Sequence, residues 1–267
     1  DRGVRVTYWL GEEPAEPITL SFLDASGGVI ESFTSDKPEA EEDRDGRYAT
    51  AHAGMNAFQW EMRHPAGPKM VDTDFHGRPG GPLALPGAYT ARLTVGEWSQ
   101  EQPFNLVKDP RVKTSQRDLK AQFDLMLDVQ GKLNEIVQAV NTSRAVKKRM
   151  TDWTSRLAGN EDAEKVIAAM ARLEKKFDKV EAELVQKELT SHGDGLNYRE
   201  MLFEKINGLP PVIRSADSKP TQQSHDVFEK LSGQADEHLA AMQALVDGDL
   251  AKVNAQLGDL GVEIIGG

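Results

Sequence analysis

"KDPRVKTSQRDL", residues 108–119, is where the periodicity of the chain changes. Before it, apolar residues recur at every second position. After it, they recur at spacings of three and four. Pro110 closes the extended run because it has no N–H to give to a ladder. Thr114 or Ser115 then offers a side-chain oxygen to cap a helix. The expected fold class is therefore multidomain β plus α. An N-terminal Ig/fibronectin-like β-sandwich (1–109) is followed by an elongated antiparallel helical bundle (110–267).

Working back from the switch, "GVRVTYWL" (3–10) places Val4, Val6, Tyr8 and Leu10 on one face with period two. "PITLSFLDASGGVIESF" (17–33) reads as a hairpin turning at Asp24–Gly28. "NAFQWEMR" (56–63) sets Phe58, Trp60 and Met62 in phase, and "GAYTARLTV" (87–95) does so for Tyr89, Ala91, Leu93 and Val95. "SQEQPFNLV" (99–107) returns after a turn near Gly96. Six or seven short strands separated by turns describe an immunoglobulin-type sandwich without its disulfide.

Working forward, helices are expected at about 115–157, 161–189, 198–207, 221–247 and 249–259. The first carries Leu119, Phe123, Met126, Leu133, Val137 and Val140, then an offset stripe through Val146, Met150, Trp153 and Leu157. A kink near Asn141–Ser143 would shorten its length of about 65 Å. The second has the cleanest stripe, Val166, Met170, Leu173, Phe177, Val180 and Leu184, between a break at Gly159 and its own end. Three such stripes must be buried against one another, which is the case for a bundle.

The 267 residues carry a net charge of −11. Residues 1–107 hold 9 Lys+Arg against 17 Asp+Glu, whereas 108–267 hold 23 against 26, so the two halves differ in character. This balance argues against nucleic acid as a partner. No apolar run reaches the roughly 20 residues of a spanning helix, so no membrane insertion is expected. There is no cysteine, which removes disulfides, thiolate metal sites and cysteine nucleophiles and fits an exported bacterial protein. The chain begins at Asp1 like a mature or excised fragment.

Candidate chemistry is sparse. Glu41, Asp43 and Asp45 precede Gly46 as in half a calcium loop, but the twelfth position is His52, not the bidentate glutamate. Asp72, Asp74 and His76 alternate and offer oxygen and nitrogen ligands for a divalent ion. The Gly- and Pro-rich stretch that follows makes this a long loop. The six histidines form no H-E-x-x-H, and G-x-S-x-G, P-loop and G-x-G-x-x-G motifs are absent. Trp98 sits at a hairpin tip in "GEWSQE", where an exposed indole stacks on a sugar or covers its own sheet edge. "NGLPPVIRSADSKPTQQ" (207–223) reads as a connector. Gly208 closes one helix, Pro210–Pro211 prevent its continuation, "VIRSAD" crosses extended with Arg214 and Asp217 as a local ion pair, and Ser218 or Thr221 caps the next helix. No catalytic residue, metal or cofactor is expected, and the chain is read as not an enzyme.

"GVRVTYWL", "NAFQWEMRHP", "GPLALPGAYTARLTV", "DPRV" and "GLNYREMLFEKINGLPPVIRSADSKPTQQSHDVFEKL" (195–231) together resemble the C-terminal region of bacterial exported BNR-repeat proteins with a sortilin-type β-propeller, often labelled glycosyl hydrolase-like. The resemblance covers roughly 3–265, and the 195–231 run is its most specific part. It implies a β-propeller of the same polypeptide as partner, and a secreted, periplasmic or cell-surface location. No Asp-box or blade-length repeat occurs in these residues. The expected role is a non-catalytic module that docks or spaces the propeller or mediates assembly, including self-association. The rival is an accessory module binding an extracellular protein or glycan through Trp98 and the 70–87 loop.

Overall fold

The computed structural model describes residues 3–37, 47–73, 78–189, 193–262 and 265–266. They form six strands followed by helices. The strands are β1 (Val4–Leu10), β2 (Ile18–Leu23), β3 (Val29–Thr34), β4 (Gly54–Trp60), β5 (Gly87–Val95) and β6 (Trp98–Leu106). β1 and β4 pair in one antiparallel sheet, and a second sheet runs β3-β2-β5-β6. Alternation in β1 works as the sequence suggests. Leu10 is buried and Val4, Val6 and Tyr8 are half-buried, while Arg5, Thr7 and Trp9 are exposed. The β2–β3 turn closes on Asp24, whose carboxylate accepts from the Ser26 and Gly28 amides and the Ser26 hydroxyl. Gly27 there has φ 83°, a conformation that suits a residue without a side chain.

One apolar cluster draws on both sheets: Leu10, Phe58 and Trp60 from the first, and Ile18, Leu20, Phe22, Phe33, Tyr89, Ala91 and Leu93 from the second. At its centre the Trp60 and Phe22 rings stack 4.4 Å apart.

The helices are α1 (Gln116–Arg156), α2 (Glu164–Leu184), α3 (Leu202–Asn207), α4 (Leu209–Ile213), α5 (Gln222–Ala244) and α6 (Ala251–Asp259). Ser115 caps α1 by accepting from the Asp118 amide. Thr114 instead donates its hydroxyl to the Asp217 carbonyl. Thr221 caps α5, accepting from the Ser224 amide. A second apolar cluster joins Val129, Leu133, Ile136, Val137 and Val140 of α1 with Val166, Met170, Leu173 and Phe177 of α2, Phe203 and Ile206 of α3, and Ala235 and Met242 of α5.

The chain divides into two compact units. One comprises Asp1–Pro65, Gly81–Phe123 and Asp217–Lys219, and the other Ala66–Gly80, Asp124–Ala216 and Pro220–Gly267. The grouping does not follow the change of period alone. Residues 66–80 precede the helices in sequence but belong with them, because Met70 is fully buried in the helical cluster.

Several expectations are corrected. α1 runs unbroken through Asn141–Ser143. The second helix ends at Leu184, five residues early, where Val185 turns extended. Its buried stripe contains Glu181 rather than Val180. The 198–207 helix begins only at Leu202. "VIRSAD" does not cross extended, because Leu209–Ile213 is a helical turn with Pro210 and Pro211 at its N-terminal end. Prolines are tolerated there, since the first N–H groups of a helix have no partner to lose. Gly208 does close α3 as expected, at φ −74°, and it also opens α4. The break expected at Gly248 is absent, for a π turn at Leu245–Leu250 carries α5 continuously into α6.

Candidate functional site

In the helical unit the least expected feature is a buried ionic cluster. Ser143, Arg144 and Lys147 follow one another around α1, and Asp178 and Glu181 lie one turn apart on α2. Glu181 is only 1% exposed. Its carboxylate accepts from Arg144 Nε at 2.9 Å and Lys147 Nζ at 2.7 Å. Lys147 also reaches Asp178 at 2.8 Å, and Lys187 lies 3.2 Å from the same carboxylate. Burial alone would push the Glu181 carboxyl up, but hydrogen bonds from Lys147 and Arg144 outweigh it and hold it below its usual value of 4.5. A carboxylate held by two cations, with Lys187 a third at 3.7 Å, is an anchor, not a proton shuttle.

The same arginine ties down the 66–73 segment. Its guanidinium donates to the Val71 carbonyl, and to that of Asp72 at 3.4 Å. One helical turn earlier, Asn141 accepts from the Val71 amide and donates to the Lys69 carbonyl, both at 2.9 Å. Gln130 donates to the Pro79 carbonyl. A row of polar side chains along α1 thus holds the backbone of a segment that has no ladder of its own.

On the same unit, α1 and α5 part to leave a groove of about 370 Å³. One wall is Glu135, Gln138, Ala139 and Thr142 of α1. The other is Leu239, Met242 and Gln243 of α5, with Val246 of the π turn. Each wall is spaced i, i+3, i+4, i+7, so each presents a single helix face. π turns are uncommon and recur at functional positions.

In the strand unit, β1 and β4 present an outward face. Trp9 and Met55 are directly paired across the two strands and are 68% and 69% exposed. Thr7–Ala57 and Arg5–Gln59 pair beside them.

Of the residues singled out from the sequence, Trp98 is half exposed at the start of β6. Asp72 is exposed at φ 53°. Asp74 and His76 lie outside the described residues, as do Glu41, Asp43 and Asp45 of the acidic loop. Among the described residues no group of three or more His, Asp or Glu is placed to hold a metal ion. Arg214 and Asp217 are both exposed, and the expected ion pair is not formed: neither residue enters one among the described residues. What fixes Asp217 is its carbonyl, through Thr114. His64 packs edge-on to Phe123 at 4.9 Å, and burial pulls its imidazole below the usual value.

Glu181 and the Trp9–Met55 pair were both missed by sequence reasoning. The strand alternation did hold a signal for the second. It places Trp9 out of phase with Val4, Val6, Tyr8 and Leu10, and hence on the outer face. Among the described residues no helix is long and apolar enough to cross a membrane. Compared with known proteins, the chain matches no family model, no curated protein and no solved structure.

Proposed function

We propose that this chain is a non-catalytic interaction module, an immunoglobulin-type β-sandwich followed by an antiparallel helical bundle, that docks or spaces the β-propeller of an exported protein. The observation that carries the reading is the Trp9–Met55 pair. An indole and a thioether side by side on a sheet face, each about two-thirds exposed, are costly to leave in water. Large exposed apolar groups gathered on one patch mark interaction surfaces. Tryptophan leads the residues that dominate binding energy, and methionine and arginine are enriched at interfaces. Arg5 on the same face supplies the polar margin.

The sandwich reading is supported by the cluster that both sheets share. It is also supported by Tyr89, near the start of β5, whose hydroxyl donates to the Leu85 carbonyl at 2.6 Å. Immunoglobulin-type sandwiches use a tyrosine in this way. The bundle reading is supported by the single apolar cluster common to α1, α2, α3 and α5.

The test is calorimetric titration of this chain with the propeller segment expected upstream of Asp1, expressed separately. Trp9→Ala is expected to weaken binding by about 2 kcal/mol or more, roughly thirtyfold in Kd, with the melting temperature unchanged. Equal affinity would remove the sheet face from the interface. An upstream reading frame without blade-length repeats would remove the propeller as partner.

A second reading is favoured by the exposure of Trp98 at the β5–β6 turn. As a stacking platform it would bind extracellular glycan. Glycan-array signal that disappears in Trp98→Ala is the expected outcome of that reading, and an array blank for the parent chain discards it.

A further inference from the structure

We propose that the groove between α1 and α5 receives a short amphipathic helix of a partner protein whose apolar stripe is flanked by lysine or arginine. Its walls have the geometry such a helix needs. Two helix faces, each spaced i, i+3, i+4, i+7, run side by side over about 10 Å, the length of two turns of a guest. Leu239, Met242 and Val246 make the apolar wall, and Ala139 opposite them keeps the groove open by being small. Helix-in-groove recognition uses this pattern of anchors.

Charge decides which helix fits. Between Leu133 and Ser143 on α1 there is no lysine or arginine, and none between Leu231 and Ala251 on the facing helix. The same stretches carry Glu135, Asp236, Glu237, Asp247 and Asp249. Lys132 stands at one end of the groove and is already committed to Glu135 and Asp236, each at 2.5 Å. Asp249 is matched by Lys176 and Lys252. Among the described residues Asp247 accepts from the neutral amide of Gln243, a groove residue, and enters no ion pair. Glu135 is the carboxylate that lines the walls; with Asp236 beside it and Asp247 on Gln243 against the one Lys132, the surroundings of the groove keep a negative excess that a cationic guest would neutralise, while an acidic guest would be repelled.

The inference does not rest on the sheet-face reading. The probe is a fluorescein-labelled leucine–lysine peptide of about four helical turns, roughly 14 residues, with leucines at i, i+3, i+4 and i+7. Its anisotropy is followed against the full chain at physiological salt. Binding is expected, at least about tenfold weaker in Ala139→Trp, which fills the groove, and weaker in Asp247→Lys. Trp9→Ala is expected to bind as the parent does. If Ala139→Trp does not fold, Thr142→Trp blocks the same wall from about one turn further along. Any of four results would overturn the proposal. The parent fails to bind the peptide, a folded groove-filled variant binds it undiminished, a leucine–glutamate peptide binds equally well, or the groove proves to be closed by a second copy of the chain that Ala139→Trp releases.

Discussion

Glu181→Ala is expected to lower folding stability by about 3 kcal/mol, the lower part of the range for removing one partner of a buried ion pair. The loss comes less from the missing attraction than from what is left behind. Arg144 and Lys147 are only 14% and 16% exposed, so without the carboxylate two cations stay poorly hydrated. The lower part of the range is the right one because each keeps a second acceptor: Arg144 the Val71 carbonyl, and Lys147 the half-exposed carboxylate of Asp178. Glu181→Gln keeps a carbonyl oxygen for one donor and should fall between parent and alanine. Urea midpoints at constant slope measure all three. A loss under about 1 kcal/mol, the value of a surface pair, would show that the cluster is solvated and refute its description as an anchor.

The pH dependence follows from the same groups. Burial acts to raise the carboxyls of Asp178 and Glu181, yet hydrogen bonds from Lys147, together with Lys187 and Arg144 respectively, bring both below their ordinary values of 3.8 and 4.5. A group held below its unfolded value binds fewer protons when folded. Its stabilisation is complete above the unfolded value and lost as pH falls through the folded one. Lys147 is the opposite case. Burial acts to lower it, but Asp178 and Glu181 raise it above 10.5, so its contribution is lost only as pH climbs past that value. The cluster should therefore leave stability flat between these limits and erode it below about pH 4.5. Glu181→Ala should flatten part of that acid limb, and an acid limb identical to the parent's would assign it to other carboxyls.

What was legible in the sequence and what was not separates by distance along the chain. The strands announced themselves because alternation is local: Val4 to Leu10 need only one another to define a face. The start of α1 was legible for the same reason, since Ser115 and Asp118 complete the cap within a single turn. Glu181 was illegible because an acidic residue in a buried stripe reads as an interruption, and its neutralising partners lie 34 and 37 residues away. The stretch from residue 70 looked like a loop by composition. It is one, but its backbone is held by Asn141 from 70 residues away, which no window of sequence contains. The π turn left no local mark either, and Gly248, a glycine within a helical pattern, was read as a stop.

Trp60→Ala should be as damaging to the strand unit as the loss of Glu181 is to the helical one, at about 3–5 kcal/mol. Trp60 is fully buried and meets three rings of the second sheet. It stacks on Phe22 and meets Tyr89 edge-on at 6.0 Å and Phe104 at 6.3 Å. Its indole N–H donates to the Arg63 carbonyl at 3.2 Å. The cavity left by alanine would open where both sheets contribute side chains, so neither can close it by moving alone. Trp60→Phe keeps a ring for stacking but leaves the Arg63 carbonyl without its donor, and should cost less. Trp9 is the internal control. It lies on β1, the strand paired with the β4 that carries Trp60, has the same side chain and faces outward, so Trp9→Ala should stay within about 0.5 kcal/mol of the parent. Near-ultraviolet dichroism and thermal melts of the two variants measure the contrast. If Trp9→Ala destabilised as much as Trp60→Ala, the outer face would be part of the fold's own packing, and the surface on which the docking proposal stands would not be free to bind anything.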